Sequence, residues 1–105
     1  MVARILEHKL RREGHDVHSA RSAEEMGALC AHLEVDVVLL SAALFARGIT
    51  TPRPRAGWFL LAGTFDAESL VHDAMAAGAA GIVRLPFKPT EVAAQVATLL
   101  ALVPS

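Results

Sequence analysis

Apolar residues along this chain fall into two alternating patterns. In one they recur every three or four positions; in the other they run on unbroken. Val2, Ile5, Leu6 and Leu10 recur at helical spacing, with Arg4, Glu7, His8, Arg11 and Arg12 on the other face, which predicts a helix over 2–13. Gly14 is placed to end it, and Arg11 and Arg12 in the last turn suit the helix dipole. His15 to Ala20 reads as a short, weak strand. Ser22 with Glu25 is a capping box, opening a second helix whose Met26, Leu29, Cys30 and Leu33 share one face.

The strongest run is Val35 to Ser41, apolar from Val37 to Leu40 and stopped at a small hydroxyl residue. Such a run reads as a strand buried on both faces of a parallel sheet. After Ser41 the pattern breaks. Ala42 to Phe45 is long enough for one helical turn, but residues 46–56, with Pro52 and Pro54 and no period, read as an exposed loop. Gly57 to Ala62 is the next buried strand, and Gly63 to Asp66 its exit loop, with Asp66 as an N-cap. Ala67 to Ala77 forms a helix with Leu70, Val71, Ala74 and Met75 inward and Gly78 at its end. Gly81 to Leu85 is the last strand. Pro86 to Pro89 turns the chain into a final helix over 90–102, with Val92, Val96, Leu99 and Leu100 inward. Strands alternating with helices imply an α/β fold, a parallel sheet covered on both faces. Ligands of such sheets bind beyond the carboxyl ends of the strands, which puts Ser41 where chemistry would be expected.

Composition narrows the function classes. The chain has 105 residues, enough for one domain. At 53% hydrophobic and 20% charged it is globular, and a net charge of −1 gives no general attraction to nucleic acid or anionic lipid. The lone Cys30 has no internal disulfide partner, which fits a reducing, cytoplasmic setting; it reads as a small buried hydrophobe, with no neighbouring cation to activate its thiol. No apolar run approaches the ~18–20 residues of a membrane span, and charged residues follow Met1 too soon for a signal peptide.

Candidate chemistry is sparse. His8, His15, His18, His32 and His72 show no zinc-ligand spacing, and there is no phosphate-binding glycine loop, serine elbow or Cys/His nucleophile pair. No metal, cofactor or enzymatic activity is expected. Arg47, Arg53, Arg55, Arg84 and Lys88 suggest an anion site if they converge at the carboxyl edge, since guanidinium groups grip phosphates bidentately; the competing reading is a solvated loop. Trp58 is suited either to stacking a base or, beginning a strand, to the edge of the core.

The chain resembles the receiver domain of bacterial two-component response regulators, including the receivers within hybrid histidine kinases. Leu6 to Val17, Val35 to Leu40, Ala74 to Ala79 and Pro86-Phe87 carry the likeness in register over nearly the whole sequence. It implies a flavodoxin-like (CheY-like) doubly wound parallel sheet of strand order 2-1-3-4-5. It also implies that residues 1–105 are one receiver-like domain, N-terminally incomplete, with the family's first strand missing and its third helix reduced to a loop. That strand is central in the family, so its absence would leave a gap between residues 15–20 and 35–41, at ~1–3 kcal/mol per buried unsatisfied group. The expectation is that a late start removed it; the alternatives are that its neighbours pair directly or that a partner chain supplies it.

A working receiver phosphorylates an aspartate after the third strand, with an acidic pair binding Mg²⁺, a Thr/Ser and a lysine on the phosphoryl oxygens, and an aromatic switch. Carried over, the phosphoacceptor position is Ser41, the Thr/Ser position Gly63 with Thr64 adjacent, the switch Ile82 and the lysine Leu85; the acidic pair has no counterpart. A neutral hydroxyl cannot form an acyl phosphate, and Leu85 brings no charge to offset the transferring group. A cis Leu85–Pro86 bond is also implied, as in the family. The expectation is therefore a non-phosphorylatable pseudo-receiver, an interaction module in phosphorelay signalling. Its partner would be a histidine kinase, another signalling domain or a second copy, met through the last strand and helix, with no nucleic acid or membrane involved. The alternative is a sensor of a nucleotide second messenger such as a cyclic dinucleotide, bound through Arg53, Arg55 and Arg84.

Overall fold

The fold is described from a computed structural model, which describes residues 2–49, 54–63, 68–85 and 87–102. Three parallel strands, β1 (Val37–Ser41), β2 (Gly57–Ala62) and β3 (Gly81–Arg84), lie in the order β1-β2-β3. Helices α1 (Val2–Arg12), α2 (Ala23–His32), α3 (Ala42–Ala46), α4 (Glu68–Ala76) and α5 (Pro89–Ala101) complete the described chain.

The alternation of side chains along β2 builds the layers. Phe59 and Leu61 join Leu6 and Leu10 of α1 with Val92, Ala93 and Val96 of α5 on one face. Leu60 and Ala62, both 0% exposed, join Ala42, Ala74 and Ala79 on the other, under α3 and α4. A strand buried on both faces has no polar alternation, which is why these runs are continuous in the sequence. Helix ends follow local chemistry. Gly14 and Gly78 sit at φ 94° and 101° after α1 and α4. In both turns the next residue's N–H reaches back five positions, His15 to Leu10 O and Ala79 to Ala74 O, at 3.1 and 3.0 Å. Ser22 Oγ caps α2 by accepting from Glu25 N–H at 3.1 Å, while Glu25 Oε2 accepts from Arg21 N–H at 2.7 Å, one residue ahead of the cap. Lys9 pairs with Glu13 at 2.8 Å and lowers its carboxyl pKa.

Four expectations need correction. His15 to Ala20 is not a strand: it carries no ladder, and among the described residues no backbone hydrogen bond joins it to β1. The gap beside β1 keeps the two segments apart, so they do not pair directly. Ile5 is 59% exposed and Met75 48%, so α1 and α4 bury narrower stripes than their apolar spacing suggests. Leu33 is likewise exposed, and none of the residues of α2 is fully buried, since α2 belongs to neither core cluster. The third helix is short but present as α3; the loop reading holds for residues 47–49 and 54–56. Trp58 is at the core edge, its ring 5.7 Å from that of Phe45.

The two-faced packing of β2 makes Leu60 the most sensitive position. Leu60→Ala is expected to lower unfolding stability by ~2–5 kcal/mol, while Met75→Ala is expected to change it by less than ~0.5 kcal/mol; urea denaturation of both variants measures the difference.

Candidate functional site

The parallel register decides what meets at the carboxyl edge. Ser41 is opposite Leu61, and Ala62 is opposite Arg84. Gly63 and Leu85 follow β2 and β3 directly, and Leu85 N–H donates to Ala62 O at 2.9 Å. Ser41, Gly63 and Leu85 therefore share this edge. Ile82 lies deeper, opposite Leu60 and half-buried against the α3–α4 core. Thr64, Asp66 and the Leu85–Pro86 bond lie outside the described residues.

Ser41 has a local structural role. It is the N-cap of α3, with φ −63° and ψ 138°, and its Oγ accepts from Ala43 N–H at 3.2 Å. One lone pair of the hydroxyl is thus taken by a backbone donor that a helix start leaves unpaired. Sequence reasoning missed this cap, although a serine directly before a short Ala-Leu-Phe turn is the ordinary signal for one.

Arg84 stands at the same edge, where its Nη2 donates to Glu68 Oε1 at 2.9 Å. With the Arg84 and Glu68 side chains 44% and 84% exposed, the pair contributes little to stability, ~0–1 kcal/mol. Its effect is to aim the guanidinium at the first turn of α4. Sixteen residues separate the two, so no local pattern announces the pair.

Arg55 lies at the other end of the sheet. It precedes Gly57, which is opposite Val37 at the start of β1. Its N–H donates to Val35 O at 2.9 Å, and its guanidinium is 3.9 Å from Asp36 Oδ1. Seven residues separate Arg55 from Ala62, the partner of Arg84, a span of roughly 20 Å along an extended strand. Arg55 and Arg84 therefore do not converge on one anion, which corrects that part of the shared-phosphate reading; Arg53 lies outside the described residues. Among the described residues, no three His, Cys, Asp or Glu side chains gather as a cation site requires.

No family model matches the chain, and no curated protein does. Among solved structures it is similar to FixJ-N, with a TM-score of 0.67 and 22% identity over 99% of this chain and 88% of that one. That likeness shows the fold: a CheY-like parallel α/β sheet, of which three strands lie among the described residues. Among the described residues, no helix is long and apolar enough to cross a membrane.

The cap at Ser41 is testable by stability. Ser41→Ala is expected to cost ~0.5–2 kcal/mol, whereas Ser41→Asp, whose carboxylate also caps, should stay within ~0.5 kcal/mol of the parent. Paired urea melts check this; equal losses for both would contradict it.

Proposed function

We propose that this domain is a pseudo-receiver: a receiver-like fold that does not accept phosphate and acts as a protein–protein interaction module in two-component signalling. The observation that carries the reading is the hydroxyl of Ser41, placed at the carboxyl end of β1 and engaged in capping α3. Phosphoryl transfer to a side chain needs a nucleophile with its charge or proton handled, and cationic groups to offset charge on the transferring oxygens. At the same edge stand Gly63 and Leu85, and the one guanidinium described there is turned to Glu68. These features support a domain with no enzymatic activity of its own.

The face suited to a partner is the one formed by β3 and α5. Val92, Ala93 and Val96 anchor α5 to the core. Ala94, Gln95, Ala97 and Thr98 are left outward beyond the first turn, an uncharged stretch that permits close approach by another helix, while Arg84, Lys88 and Glu91 put charge at its start. A histidine kinase or a related signalling domain in the cytoplasm is the partner this reading names, with a second copy of the chain as the other candidate. The nucleotide-sensor reading is not carried further, because Arg55 and Arg84 lie at opposite ends of the sheet.

Incubation with acetyl phosphate and Mg²⁺ is expected to leave the domain unlabelled. Ser41→Asp is expected to remain unlabelled as well, because Leu85 still supplies no cation. A Mg²⁺-dependent, hydroxylamine-labile label on the parent chain would contradict the proposal. Co-purification with a histidine kinase dimerisation domain should be weakened about tenfold or more by Ala94→Arg on α5, in line with the cost of burying an unpaired charge at an interface.

A further inference from the structure

The outward face of α1 is strongly basic in a molecule whose net charge is only −1. Leu6 and Leu10 anchor the helix in the core, 4% and 6% exposed. Arg4, His8, Arg11 and Arg12 lie on the opposite side, all exposed, with Ile5 at their margin. α1 holds four of the chain's ten Lys and Arg residues against one carboxylate, Glu7, so its own charge is +3.

Helix stability does not account for this stripe. Arg11 and Arg12 suit the carboxyl end of the helix dipole. Arg4, however, stands in the first turn, where a cation opposes the dipole and no acidic residue offsets it. Arg4, His8 and Arg12 follow one another at i, i+4 spacing, a row with no carboxylate in it to form a stabilising pair. Two cations of the helix are engaged. Lys9 pairs with Glu13 at 2.8 Å, and Arg11 Nη2 donates to Val17 O at 3.0 Å, which fixes that guanidinium at the surface. The side chains of Arg4 and Arg12 make no hydrogen bond or ion pair among the described residues.

The stripe is as narrow as one helix. Glu7, Glu13 and Asp16 flank it, and α5, which packs against α1, carries no charged residue from Val92 to Ala101. In physiological salt the field of an exposed charge reaches about 8 Å. A duplex nucleic acid or a bilayer presents a wider anionic surface, which would meet the acidic flanks as well. A bilayer also needs an apolar helix face to insert, and that of α1 is buried in the core, apart from Ile5 at 59% exposed. An acidic helix has the matching width. Its carboxylates at i, i+4 and i+8 repeat every ~6 Å, the interval from Arg4 to His8 to Arg12.

We propose that the outward face of α1 seats an acidic helix of a partner protein. Two helices crossing at a shallow angle stay in contact over the ~12 Å from Arg4 to Arg12. Arg4, Arg11 and Arg12 each meet a carboxylate there, and Ile5 packs against an apolar side chain beside the acidic row. The site lies on α1, not on β3 or the outward face of α5, and does not involve Ser41, so it and the pseudo-receiver reading fail independently.

The test uses the full 105-residue chain and a fluorescein-labelled, alanine-based peptide of about four helical turns. A hydrocarbon staple holds the peptide helical, and glutamate occupies every third or fourth position along one face. Anisotropy is expected to show saturable binding that weakens as salt is raised. An equally stapled peptide with the same glutamates spread around the helix should bind at least about fivefold more weakly. Arg4→Gln combined with Arg12→Gln should weaken binding of the one-faced peptide by a similar factor, the loss of two exposed ion pairs. Arg47→Gln combined with Lys88→Gln removes the same charge elsewhere and should leave binding unchanged. All four side chains are exposed and glutamine is a good helix former, so both variants should fold, which circular dichroism checks; if one does not, the two peptides against the parent chain decide. Absence of saturable binding, equal binding of the two peptides, or equal losses in the two double variants would overturn the proposal. Tighter binding of duplex DNA or of phosphatidylglycerol vesicles than of the one-faced peptide would assign the stripe to that surface and overturn it too.

Discussion

The parallel pairing of β1 with β2, from Val37 opposite Gly57 to Ser41 opposite Leu61, sets the position of every other element. It aligns the carboxyl ends of the strands on one edge, where α3 and α4 begin. It places Phe59 and Leu61 under α1 and α5, and Leu60 and Ala62 under α3 and α4. Among the described residues, no strand pairs with the far side of β1. β1 is thus half-buried through most of its length, with Leu40 as its one fully buried residue, while β2 carries the centre of both core layers.

The chemistry of the carboxyl edge follows from which residues the register delivers there. A receiver site works by concentrating charge: a carboxylate nucleophile, a divalent cation and a lysine around one phosphoryl group. Here the register delivers a hydroxyl, a glycine and a leucine. Ser41 finds a helix N-terminus to cap, and Arg84 finds Glu68. At this edge the described residues form local structural contacts, a helix cap and an ion pair, rather than a cluster of charge around one point. That contrast underlies the proposal that the domain signals by binding rather than by phosphotransfer.

Much of the architecture was legible in the sequence because burial on both faces writes itself as uninterrupted apolar runs. Val37 to Leu40, Gly57 to Ala62 and Gly81 to Arg84 are strands for that reason, and Gly14 and Gly78 mark helix ends because the turns there need positive φ. His15 to Ala20 misled. Its alternation resembles a strand, but a strand needs a neighbour to pair with, and among the described residues none pairs with it. The outward Ile5 and Met75 misled likewise, because apolar spacing predicts a stripe but not how wide a stripe the rest of the fold can cover. At the site, the positions of Ser41, Gly63 and Leu85 were readable from the ends of runs. The separation of Arg55 from Arg84 was not, since two arginines flanking strands look alike until the register shows that one precedes its strand and the other ends it.

The central claim is that β1 is held by its parallel ladder to β2, the one strand that pairs with it among the described residues, and amide hydrogen exchange along β1 tests this most directly. In a parallel ladder, successive amides point to opposite sides of the strand. The account predicts an alternating pattern across Val37 to Ser41 in the isolated domain. Amides turned toward β2 should exchange as slowly as those of Phe59 to Leu61, and the intervening ones, facing away from β2, should exchange much faster. Uniformly slow exchange along β1 would mean that its outer edge is already paired, and would contradict the account.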